Sequence, residues 1–221
     1  MTRLLLPLIY LAFISLGLPD ALLGTAWPVM RLDLDAPLDM AGWLFMTIAA
    51  GTIVSSLFSG RLIERYSTGP ITAASAGLTA LALIGFYVAP SLIWLFVLAI
   101  PLGLGAGVVD AALNHFVATH YQAHHMNWLH CFWGIGATAG PLIMAGVLLD
   151  SGWRFGYLVV GALQLVLMIV LIVSLPLWKR APKHVSEQIH ITHTSSGKPR
   201  GLMAALAAFC FYCGVEAVVG L

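Results

Sequence analysis

Three carboxylates lie where carboxylates are rarely tolerated. Asp20, Asp110 and Glu216 fall well inside runs of apolar residues, whereas every Lys and Arg stands in a polar stretch or at the end of such a run. An acid at membrane depth costs about 2.5 to 3.5 kcal/mol on insertion scales, so it marks a cavity, an ion pathway or a proton relay. A carboxyl with no cation beside it can load and release a proton, which is the chemistry of a proton carrier. Asn114 follows Asp110 by one helical turn and shares its face, adding a donor and an acceptor suited to a hydroxyl-rich or amide-bearing solute. Trp133 offers a ring that can stack on a ligand. The alternative for each acid is a protonated group that hydrogen-bonds a neighbouring helix, and for Trp133 simple packing.

These residues need elements to hold them, and the composition dictates which. The chain has 221 residues, 60% hydrophobic and 9% charged, with a formal charge of +1 and a mean hydropathy of +0.95. About a quarter of an average soluble domain is charged. Disorder requires low hydrophobicity with high net charge, and nucleic-acid binding a basic surface, so all three classes are excluded. Apolar runs long enough to cross a bilayer cover about residues 4 to 30, 39 to 60, 70 to 89, 93 to 119, 127 to 149, 155 to 177 and 201 to 221. They are apolar on every face, unlike the alternating strands of a membrane β-barrel, and predict an all-α membrane protein. The first run is too long for a signal-peptide core and is read as a retained helix.

Cations cluster on one side. Arg3, Arg61, Arg65, Lys179, Arg180, Lys183, Lys198 and Arg200 flank one set of ends, and only Arg31 and Arg154 the other, which predicts a cytoplasmic N-terminus. Residues 178–200 hold five of the ten cations and read as a cytoplasmic linker between a six-helix bundle, 1–177, and a further helix, 201–221. Six of the seven tryptophans fall at predicted boundaries, as headgroup anchoring favours, and Trp133 lies inside the fifth helix.

No metal or cofactor motif is readable. Cys131, Cys210 and Cys213 fall in apolar stretches, and the groups His120, His124, His125 and His184, His190, His193 lack metal-ligand spacing. His115 and His130, near inner helix ends, read either as wet interface residues or as a gate or proton relay. Gly103, Gly105 and Gly107 have no preceding strand and read as helix-packing residues rather than a phosphate loop. Gly136, Gly140 and Pro141 permit close backbone approach and a kink, with a hinge as the functional alternative.

The chain repeats itself. Gly17-Leu-Pro-Asp-Ala-Leu-Leu23 and Gly107-Val-Val-Asp-Ala-Ala-Leu113 share G-x-x-D-A-x-L at an offset of 90, and Trp43-Leu44 and Gly51 match Trp128-Leu129 and Gly136 at an offset of 85. Helices one to three and four to six therefore form two copies of one unit. Three helices per copy is odd, so the second copy is inverted, and such repeats place substrate sites near the midplane of their interface.

These features resemble a known family. Six helices with an inverted repeat and a charged linker look like the N-terminal half of a major facilitator superfamily transporter. The segment Gly60-Arg-Leu-Ile-Glu64-Arg65 resembles that superfamily's signature turn between helices two and three, with Glu64 for the usual aspartate and Ser67 and Thr68 for glycine and arginine. The helix-one aspartate, the Asp110 and Asn114 pair, Leu129-His-Cys-Phe-Trp-Gly-Ile-Gly136 leading to Gly140-Pro141, and Tyr212-Cys-Gly-Val-Glu216 look like the fucose permease-type branch of bacterial proton symporters. The resemblance implies proton coupling and sugar recognition at Asp20 and Asp110, and a contact with the missing half for Glu64. With the residues' own chemistry, Asn114, Trp133 and Glu216 join the candidates for substrate binding or proton coupling, and Gly60, Arg65, His130, Gly140 and Pro141 join Glu64 as candidates for gating or conformational roles. It implies a bacterial inner-membrane protein whose partners are lipid, protons and a small polar solute such as a sugar. A partial antiporter signature at Gly136-x-x-x-Gly140-Pro141 leaves export as the alternative. A single helix beyond the bundle leads to the expectation that this chain is a partial product, inactive alone, or a non-transporting protein that pairs with a missing C-terminal half.

Overall fold

In lipid a chain has no solvent to satisfy its backbone, so apolar runs of this length fold into helices whose hydrogen bonds are internal. The computed structural model describes residues 4–178, and all regular structure among them is helical. The first span comprises α1 (Leu5–Gly17) and α2 (Leu22–Asp33). Then follow α3 (Met40–Tyr66), α4 (Thr68–Val88), α5 (Leu92–His120), α6 (His124–Leu148), α7 (Gly152–Val173) and the single turn α8 (Leu175–Trp178). Six segments are thus long and apolar enough to cross a membrane. The seventh run, with Glu216, lies outside the described residues.

Two boundaries correct the sequence expectation. The predicted continuous first helix is broken at Leu18–Ala21, where Asp20 N–H donates to the Gly17 carbonyl at 3.2 Å and Leu22 N–H to the Pro19 carbonyl at 3.2 Å, three residues back rather than four. Pro19 causes the break, because it has no N–H for the Ser15 carbonyl and its ring crowds the preceding turn. Asp20 therefore lies in an exposed turn inside the span and not on a helix face. The signature segment Gly60 to Arg65 is likewise not a turn: it forms the last turns of α3, and the reversal is confined to Ser67, held at φ 68°.

Helix α3 crosses α5 and α1 crosses α6, while α4 packs between α5 and α7. The two crossings are copies. A Cβ on Gly51 would stand 3.2 Å from Leu104 N, and one on Gly136 would stand 1.9 Å from the Ile14 carbonyl oxygen. The repeat offsets of 85 and 90 carry the first contact onto the second. The same offsets carry Gly107 against Thr52, 2.3 Å from its carbonyl oxygen, onto Gly17 against Ala137, 2.8 Å from its N. The inverted repeat is therefore built into the backbone contacts, with small residues letting the helices approach.

Buried side chains form two clusters. One surrounds Leu22, Trp27, Phe86, Leu95, Trp153 and Tyr157, and the other Ile9, Phe13, Leu113, Phe116, Leu129 and Leu171. A polar layer of Ser15, Thr79 and Gln164 separates them in the chain order of α1, α4 and α7. Of the boundary tryptophans, Trp43, Trp94 and Trp128 are exposed as headgroup anchors would be, whereas Trp27, Trp153 and Trp178 are buried. Those three bury their rings because each N–H finds a partner inside the protein: the Leu38 carbonyl at 3.0 Å, the Asp33 carboxylate at 3.0 Å and the Ser174 hydroxyl at 3.3 Å.

Asp33 also pairs with Arg154, whose guanidinium lies 4.3 Å from the Trp153 ring centroid and donates to the Ala89 carbonyl at 3.3 Å. This clamp ties the ends of α2 and α4 to the start of α7. Arg154→Ala removes all three contacts and is expected to cost about 1 kcal/mol, since the pair is partly exposed. A lower melting temperature, partly restored by Arg154→Lys, is the measurement that checks it.

Candidate functional site

The break in the first span presents Asp20 to α6. There the Trp133 Nε1–H donates to Asp20 Oδ2 at 2.8 Å. Because Asp20 stands in a turn, its carboxylate leaves the α1 axis and reaches a helix that α1 crosses at close range. Leu18, at the edge of the turn, meets Gly140, where a Cβ would stand 2.1 Å from the Leu18 carbonyl oxygen. Gly140 and Pro141 thus serve the tight seat of the broken helix, Pro141 standing inside α6.

Asp110 lies on α5, half-buried. Asn114 Nδ2 donates to Asp110 Oδ1 at 2.9 Å and to the Asp110 carbonyl oxygen at 3.0 Å, which confirms the shared helix face. Asn114 Oδ1 is buried with no hydrogen-bond partner among the described residues, so an acceptor is held ready beside the acid. The sequence shows no cation near Asp110, but the structure places His130 of α6 within Coulombic reach of it. The His130 ring stands edge-on to Phe13 at 6.3 Å between centroids.

His130 and Trp133 are three residues apart and share a face of α6. One helix therefore serves both repeat-related acids: Trp133 bonds Asp20, and His130 acts on Asp110 electrostatically. The resulting set, acid with indole donor and acid with amide and imidazole, can exchange protons and hydrogen-bond a polar solute against an aromatic ring.

The other predicted residues are elsewhere. Gly60, Glu64 and Arg65 sit at the far end of α3, exposed; Arg65 lies over Tyr66 at 5.3 Å, and Gly60 has open space around it. Glu216 lies outside the described residues. Sequence reasoning missed three polar contacts. Gln164 of α7 donates Nε2–H to the Ser15 carbonyl at 2.7 Å and accepts from Thr79 Oγ1 at 3.3 Å. The Tyr10 hydroxyl and His125 Nδ1 share a hydrogen bond of 2.7 Å between α1 and α6, and Asp33 pairs with Arg154. A proline four residues after Ser15 signals an orphaned carbonyl, and a lone amide in the apolar run of α7 signals a donor.

Residues 9–221 match the family model of the Major Facilitator Superfamily. The chain is 26% identical over 140 residues to the niacin transporter NiaP of Acinetobacter baylyi, covering 62% of this chain and 32% of that protein. It is 21% identical over 182 residues to the glucose/mannose transporter GlcP of Bacillus subtilis, covering 81% and 45%. The chain thus spans less than half the length of these curated relatives. Its fold matches the inward-open xylose transporter XylE from E. coli with a TM-score of 0.63 at 16% identity, over 78% of this chain and 48% of that one.

Proposed function

Because the chain belongs to the major facilitator superfamily and is a multi-pass membrane protein, we propose that its six-helix bundle is one half of a proton-coupled transporter. The solute is a sugar or a similar small polar compound, in keeping with the fucose permease-type motifs. The bundle works opposite a second bundle, consistent with relatives of about twice its matched length. It sits in the bacterial cytoplasmic membrane with its N-terminus inside, on the strength of the cation bias.

One observation carries this reading: α6 bonds Asp20 directly through Trp133 and carries His130 within electrostatic range of the repeat-related Asp110. Asp20 and Asp110 carry the proton. Asn114 Oδ1 accepts a solute hydroxyl or N–H, and Trp133 packs against the solute ring. Glu64 and Arg65, at the end of α3, contact the opposite half during the cycle, with Gly60 at their base, and Glu216, outside the described residues, joins Asp20 and Asp110 as a proton-coupling or solute-binding acid.

The test is uptake of labelled glucose, xylose, fucose and nicotinate into cells expressing this chain joined to a second bundle that completes the transporter, with an imposed pH gradient; the chain on its own is expected to accumulate none. Accumulation of at least one that collapses when a protonophore dissipates the gradient is expected. Accumulation indifferent to the gradient would remove the proton from the mechanism, and gradient-driven loss of preloaded solute would make it an exporter.

A further inference from the structure

The polar layer between the two core clusters contains a bond whose acceptor the sequence has orphaned. The Ser15 carbonyl points at residue 19, which is proline and has no N–H to give. Gln164 supplies the missing donor from α7 at 2.7 Å, in a fully protein-lined layer where Gln164 itself is 3% exposed. Its Oε1 lies 3.3 Å from the Thr79 hydroxyl, whose single proton is shared with the Ala76 carbonyl at 2.9 Å, so the amide orientation is set by the Ser15 carbonyl, which only the Nε2–H can satisfy. A buried carbonyl left unpaired is costly enough to make a helix end fray. Here the break is instead confined to Leu18–Ala21, and α1 stays regular up to Gly17.

We propose that Gln164 is a positioning residue for Asp20. By capping the Ser15 carbonyl it fixes where α1 stops, and the turn that starts there sets the Asp20 carboxylate where Trp133 can reach it. A residue 144 positions from Asp20 thus holds the geometry of the proposed proton site through its bond to Ser15. The meaning for transport rests on the role proposed above for Asp20; the linkage from Gln164 to Trp133 does not.

The experiment uses the chain in lipid nanodiscs with 15N-labelled tryptophan. The Trp133 indole resonance is assigned by its absence in Trp133→Phe, and the indoles of Trp27 and Trp153, bonded to Leu38 and Asp33, are internal controls for folding. In Gln164→Leu, exchange of the Trp133 indole proton with solvent is expected to quicken by about tenfold, the worth of one net hydrogen bond, with the two controls unchanged. Unaltered exchange at Trp133 would overturn the proposal. Should Gln164→Leu fail to fold, the double variant Pro19→Ala with Gln164→Leu decides. Alanine returns an N–H to the Ser15 carbonyl, so folding should recover, and failure of the double variant as well would assign Gln164 to packing alone and overturn the proposal. Normal proton-driven uptake by an Asp20→Asn protein would remove the role of Asp20 and leave this result untouched.

Discussion

In the complete two-bundle transporter proposed above, replacing Asp110 by asparagine is expected to abolish gradient-driven uptake while leaving insertion and folding intact. The substitution keeps the shape and the Oδ1 acceptor, so the 2.9 Å bond from Asn114 persists and the helix face is undisturbed. Only the exchangeable proton is lost, and with it the coupling a carrier carboxyl provides. Uptake should fall to the level seen when the gradient is collapsed, and Asp110→Glu should recover part of it. Asp20→Asn is expected to behave alike, since asparagine still accepts from the Trp133 indole. Full gradient-driven uptake by either variant, measured at matched membrane abundance, would show that its carboxyl carries no proton.

Gly136→Val should be the most damaging change to the bundle itself. Its Cβ would stand 1.9 Å from the Ile14 carbonyl oxygen, a backbone atom that cannot swing aside, so α6 must retreat from α1 along the whole crossing. Overpacking of this kind costs about 3 kcal/mol or more. Gly103→Val, aimed at the Ile48 carbonyl from 2.1 Å, should cost as much at the repeat-related crossing. Gly134→Val, two residues from Gly136 with nothing within 4 Å of its Cβ position among the described residues, is the control and should change the melting temperature little. Equal melting of the Gly134 and Gly136 variants would refute the close crossing.

The spans were legible in the sequence because lipid leaves the backbone no alternative to the helix. All six begin and end within a few residues of the apolar runs except where local chemistry overrides composition. Pro19 carries no charge and is averaged with the apolar residues around it, so a hydropathy run passes straight over it and hides the break that Asp20 occupies. Arg61, Glu64 and Arg65 read as loop by charge, yet they extend α3 to Tyr66 because charged residues at a membrane edge remain helical when their side chains reach water. The pairing of Asn114 with Asp110 followed from helical spacing. That of Asp20 with Trp133, 113 residues away, did not, since only the crossing of α1 and α6 brings them together. Glycine types were legible as packing residues, but not which mattered: Gly134 and Gly136 differ only in the face they present.

The bond between Gln164 and Ser15 also sets a schedule for biogenesis. A ribosome adds about 5 to 20 residues per second, so the separation of 149 residues between the two partners takes about 7 to 30 seconds to make. Throughout that interval the first span has entered the membrane with the Ser15 carbonyl lacking its lasting donor. The nascent chain must therefore lend a temporary one, from water in the insertion channel or from a chaperoning helix, until the sixth span arrives.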